Sequence, residues 1–117
     1  MTIDRNNLER YREIMGDEYI EFAVDIIQTF LDSSPKTIIE LRKAFQDNDA
    51  KTFERAAHSL KSNAKVFGAD RFAEIALGLE KLGKSGDIEK AEKRIDELLT
   101  EYTKVAKELN ALKEEIQ

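Results

Sequence analysis

Apolar residues recur along this chain at steps of three and four, the spacing that lays one buried stripe along an α-helix. A short first helix is predicted from about Arg5 to Met15, with Asp4 at its N-cap and Leu8, Tyr11 and Ile14 on one side. Gly16 ends it, and Asp17 is placed to cap the next. The second helix carries Ile20, Ala23, Ile27, Phe30, Ile38, Leu41 and Phe45, interrupted by Ser33-Ser34-Pro35. Proline inside a helix removes one hydrogen bond and crowds the carbonyl four residues back, here Leu31. The stripe nevertheless keeps its phase through Ile27, Phe30, Ser34, Ile38 and Leu41, which favours one bent helix over two short ones.

Asp47-Asn48-Asp49 makes a turn, and Asp49 caps a third helix from about Ala50 to Val66. Gly68 stands where a left-handed C-terminal residue is expected. Asp70 is the expected cap of a fourth helix that buries Phe72, Ile75, Ala76, Leu79 and Leu82 and ends at Gly83. Gly86-Asp87 opens the last helix. Its apolar positions run from Ile88 through Ala91, Ile95, Leu98, Tyr102, Val105, Leu109 and Leu112 to Ile116 in strict alternation of three and four. That is a coiled-coil seam, open to three uses: docking along the whole bundle, packing on the first helix, or pairing with a second molecule. Short loops make successive helices antiparallel neighbours. The expected fold is therefore all-α, an antiparallel up-down four-helix bundle with an additional short N-terminal helix and a long C-terminal one.

Composition narrows the chemistry. The 117 residues suit one domain, and 37% charged against 41% apolar with a single proline argues for an ordered helical protein rather than disorder. There is no cysteine, which excludes disulfides, thiolate catalysis and Cys-ligated metals, and one histidine makes a His-based metal site improbable. No apolar run suits a bilayer span or a signal-peptide core, so a cytoplasmic location without membrane attachment is expected. A net charge of −5 argues against nucleic-acid binding. Between residues 51 and 65, however, Lys51, Arg55, Lys61 and Lys65 face only one acid, Glu54.

That local basic stretch contains the only histidine. Phe53, Ala57, Leu60, Ala64 and Phe67 draw the buried stripe, and His58 lies about 100° round the helix from Ala57, on the wet side. One and two turns on are Lys61, Ser62 and Lys65. A lone histidine in a helical protein is usually a bystander, and lysines usually belong to a solvated face. Three features weigh against that here: the placement off the stripe, the cationic escort, and a small serine mid-helix where propensity disfavours it. An exposed imidazole so flanked is a place to hold a phosphoryl group.

His58-Ser59-Leu60-Lys61-Ser62 followed by Gly68-Ala69 resembles the signature of histidine-containing phosphotransfer (HPt) domains: histidine, any residue, aliphatic, lysine, glycine or serine, then a glycine ten residues after the histidine. Phe30 to Pro35, Leu41 to Ala44, Asp47 to Asp49 and Leu79-Glu80 extend the likeness over most of the chain. The resemblance implies a single HPt domain over 1–117 with its core at about 18–112. It implies that His58 accepts and donates a phosphoryl group through Nε2. Lys61 would lie beside the phosphate, and Glu80 would hydrogen-bond Nδ1. The bland alternative for Glu80 is a surface pair with Lys84. Ser62 would stand where the family most often has glycine for close approach of the partner, and Gly68 would end the helix. Arg55 and Lys65 would support the site, and Phe67 with Val66 would supply an apolar docking patch. Partners would be response-regulator receiver domains, or a hybrid histidine kinase, with Mg²⁺ on the receiver and no cofactor of the chain's own. The chain would then be a phosphotransfer module rather than an enzyme, expected as a monomer, with a dimer through the last helix left open. Two other readings stand beside it: a helical interaction module that uses no phosphate, and the phosphoacceptor domain of a chemotaxis-type kinase.

Overall fold

Five α-helices account for most of residues 1–117, all of which are described by the computed structural model: α1 (Arg5–Met15), α2 (Tyr19–Gln46), α3 (Ala50–Lys65), α4 (Asp70–Ser85) and α5 (Glu92–Ile116). Single 3₁₀ turns at Gly16–Glu18 and Ile88–Lys90 lead into α2 and α5. Helices α2 to α5 form the bundle, α1 packs on α2, and the whole chain is elongated to 47 × 23 × 20 Å. No helix is long and apolar enough to cross a membrane.

The second helix runs unbroken through Pro35. Its stripe of Ala23, Ile27, Phe30, Ser34, Ile38 and Leu41 is buried, and that continuous burial outweighs the bond the proline removes. One register detail differs from expectation. Tyr19 rather than Ile20 enters the core, with the Arg12 guanidinium 4.4 Å above its ring, and Ala44 rather than Phe45 closes the stripe. Ile20 and Ile14 lie exposed. Tyr19 and Ile20 are four and three residues before Ala23, and Ala44 and Phe45 three and four after Leu41, so both choices satisfy the spacing and packing selects between them.

Helix ends follow the capping residues only in part. The Asp4 and Asp49 carboxylates accept from the N–H groups of Asn6 and Thr52, and Gly68 adopts φ +63° past the end of α3. Asp17 falls inside the 3₁₀ turn, and Asp70 is already helical, with Ala69 preceding it and no side-chain cap. Gly83 does not end α4; the helix continues to Ser85 and stops at Gly86, φ +85°. Gly83 is instead a packing position, where a Cβ would sit 2.9 Å from the Glu54 backbone of α3.

The α5 seam is consumed inside the chain. Ile88, Ala91, Ile95, Leu98, Val105, Leu109 and Leu112 are buried, with Tyr102 and Ile116 packed against the same core. Its last turns meet the N-terminal segment: Glu115 pairs with Arg5 at 2.8 Å, and the Glu108 carboxylate accepts from the backbone N–H groups of Thr2 and Ile3 and from the Thr2 hydroxyl. The Asp4 N–H donates to the Phe67 carbonyl, and Asn7 Nδ2 to that of Lys65. Together these hold buried Ile3 and Leu8 in place. Replacing Glu108 by alanine strands those donors, so a loss of about 1–2 kcal/mol is expected. Faster amide exchange confined to residues 2–15 is the measurement that checks it.

Candidate functional site

Alanines and glycine set the geometry of the site. Helices α3 and α4, whose buried faces include Ala56, Ala57 and Ala64 and Ala73, Ala76 and Gly83, make the most extensive contact in the bundle, with Gly83 against the Glu54 backbone. Small side chains let the two backbones approach closely. Residues just off the seam, His58 and Lys61 on α3 and Glu80 on α4, are thereby brought within reach of one another.

The His58 side chain is 58% exposed and its Nδ1 lies 2.7 Å from Glu80 Oε2. The other carboxylate oxygen accepts from Lys61 Nζ at 2.6 Å, and both of these side chains are largely shielded, at 17% and 16% exposure. Lys61 therefore reaches across to the carboxylate rather than standing free beside the ring's outer nitrogen. Glu80 turns to His58 and Lys61, and the alternative pairing with Lys84 is not formed. Lys61, then His58, hold the Glu80 carboxyl below its usual range against the opposing effect of burial.

The tautomer of the ring follows. An ionised carboxylate only accepts, so the neutral imidazole must carry its proton on Nδ1 and its lone pair on Nε2. Ser62 Oγ is 3.5 Å from Nε2, on the solvent side. An open cleft of ≈ 600 Å³ adjoins the ring, lined by the polar and charged residues Lys51, Glu54, Arg55, Ser59 and Glu80. Arg55 is exposed there with only a long 3.5 Å contact to Thr52, and Lys65 is exposed two turns beyond His58. Lys51 and Glu54 belong to this surface although the sequence assigned them no role. Helical spacing from His58 was the signal available.

Phe67 is not part of an exposed docking patch. It is buried at 3% exposure, edge-on to Phe30 at 5.2 Å, because the chain turns inward at the end of α3. Val66 stays half-buried and rims an apolar cleft of ≈ 340 Å³ between α1, α2 and α3 with Tyr11, Phe22, Ile26 and Asn63. Gly68 lies against Asp4, where a Cβ would meet that residue's Cβ at 2.6 Å.

Two consequences of the Glu80 geometry can be measured. Glu80→Gln keeps an acceptor on Nδ1 but removes the charge, and it is expected to slow any reaction that leaves positive charge on the ring by about tenfold. The same change flattens the acid limb of the stability curve. A carboxyl held below its unfolded value of 4.5 contributes stability that is complete above that pH and lost as pH falls through the lower folded value. Chemical denaturation of both chains between pH 6 and about pH 2 tests the sign.

The sequence pattern of the Hpt domain matches residues 25–115. The chain is 27% identical over 98 residues to the phosphorelay protein LuxU of Vibrio harveyi, covering 84% of this chain and 83% of that protein. It is 25% identical over 81 residues to multistep phosphorelay regulator 1 of Schizosaccharomyces pombe, a stretch that is 69% of this chain and 28% of that protein. Among solved structures it is similar to histidine-containing phosphotransfer protein B from Pseudomonas aeruginosa, with a TM-score of 0.86, 25% identity, and coverage of 97% of this chain and 96% of the other.

Proposed function

We propose, from the premise that this chain belongs to the Hpt domain family and is a phosphotransfer intermediate of a phosphorelay, that His58 is the residue that carries the phosphoryl group. The observation that supports this most directly is the 2.7 Å contact between Nδ1 and Glu80, which leaves a lone pair on the outward Nε2. That lone pair attacks the phosphorus of an aspartyl phosphate on a receiver domain. The N–P bond forms as the P–O bond to the aspartate breaks, and the aspartate leaves with the electron pair as a carboxylate. The Nδ1 proton stays on the ring, and the positive charge of the phosphoimidazole rests against Glu80. Transfer to the next receiver is the same step reversed.

In this reading Lys61 is a positioning residue. Its ammonium fixes the Glu80 carboxylate in place beside Nδ1 and helps keep it ionised. Arg55, Lys51 and Lys65 supply the positive field that meets the incoming phosphate. Gly68 shapes the turn that seats the N-terminal segment. The receiver supplies the aspartate and its Mg²⁺, so the chain works as a carrier in the cytoplasm, as one unit over residues 1–117. The competing interaction-module reading relied on the α5 seam, which is buried within the chain.

Incubation with phosphorylated receiver domains tests the proposal. The expected product is a label on the chain that is lost in acid, stable in alkali, and mapped by mass spectrometry to the peptide containing His58. Acid-stable label, or label on another residue, overturns the assignment.

A further inference from the structure

We propose that Ser62 is the hydrogen-bond donor that receives the phosphoryl oxygens at Nε2 and so sets the lifetime of the phosphohistidine. The inference rests on His58 being the acceptor and adds a residue to that site. Ser62 lies four positions after His58, the spacing that makes two helical side chains neighbours. Its hydroxyl stands 3.5 Å from Nε2, and this is its only hydrogen-bond contact. Elsewhere in the chain Thr37, Thr100 and Thr103 turn their hydroxyls back to the carbonyl four residues earlier, at 3.2, 3.1 and 3.1 Å. Ser62 turns to the ring instead.

A separation of 3.5 Å is long for a bond between that hydroxyl and the nitrogen itself. It suits a hydroxyl whose partner is one bond further out, an oxygen on a phosphorus held at Nε2. Lys61 is tied to Glu80 at 2.6 Å, on the Nδ1 side of the ring. A glycine at position 62 would offer neither the hydroxyl nor the Cβ that aims it. Donation to an anionic oxygen is the stronger kind of hydrogen bond. It stabilises the phosphorylated ring against hydrolysis and makes the group harder to give away.

Phosphoramidate is the probe, because it labels an imidazole without a partner's binding surface. Its P–N bond breaks, ammonia leaves with the electron pair, and the phosphorus passes to Nε2. Wild type, S62A, S62G and S62T are labelled, freed of donor, and followed by ³¹P NMR at neutral pH. The expected result is decay about tenfold faster in S62A and S62G, the size of effect expected from one charge-assisted bond. The phosphohistidine resonance shifts with it, and S62T stays close to wild type because it keeps the hydroxyl. A phosphohistidine in S62A that lasts as long as in wild type, or longer, overturns the Ser62 proposal while leaving His58 in place. Wild-type label that is absent, or undiminished in H58Q, overturns both. Ser62 is exposed, so the variants keep the fold, and circular dichroism of each checks it.

Discussion

A chain carrying His58→Gln is expected to accept no phosphoryl group from any phosphorylated receiver, a fall of at least about a thousandfold, while its stability stays unchanged. Glutamine preserves much of what His58 does structurally. Its amide N–H can still donate to Glu80, which keeps Lys61 as a partner. What it lacks is a nucleophilic nitrogen, since the amide lone pair is delocalised into the carbonyl. The side chain is 58% exposed, and surface replacements of this kind change unfolding free energy by less than about 0.5 kcal/mol. Transfer assays and thermal denaturation on one preparation separate the two effects. Retained acid-labile label in the variant would move the acceptor to another residue.

Gly83→Val is expected to cost about 1–3 kcal/mol, and it should also damage the site some distance from the substitution. A Cβ at residue 83 already meets the Cα, Cβ and N of Glu54 at 2.9 Å each. Helix propensity would gain from replacing glycine, yet the obstacle is backbone, which no side-chain rotation relieves. The helices must separate or slide. Glu80 lies one turn before Gly83 on α4, and His58 one turn after Glu54 on α3, so separation lengthens the 2.7 Å contact between them. Denaturant midpoints give the stability change, and ¹⁵N shifts of the imidazole report loss of the single Nδ1–H tautomer. A variant with wild-type stability and an unchanged tautomer would show that close helix approach does not set the site.

Periodicity made most of the bundle legible, because burial repays a three–four spacing wherever it occurs in the chain. The α2 stripe could be followed across Pro35 for that reason, with buried Ser34 keeping its phase. Capping signals were less dependable. Asp4 and Asp49 each cap a helix, while Asp17 falls inside a 3₁₀ turn and Asp70 is already the first helical residue, so neither is in the position from which a side chain caps. Gly83 read as a helix end because glycine disfavours helices. Its actual use, admitting the α3 backbone, depends on a residue 29 positions away in the sequence (83 minus 54). Phe67 carried two readings, the last position of the α3 stripe and part of a docking patch; the three-residue step from Ala64 holds, and the ring packs edge-on to Phe30.

By itself the sequence determined the helical class, the number of helices, the stripe each one buries, and the exposed setting of His58. These are local matters, decided by spacing within a helix and by which side chains water excludes. Tertiary structure alone decided which groups meet between helices. It directed Lys61 to Glu80, enclosed the α5 seam, and fastened the N-terminal segment to Glu108. Such pairings rest on side-chain contacts of under 3 Å between residues far apart in sequence, which no one-dimensional pattern encodes.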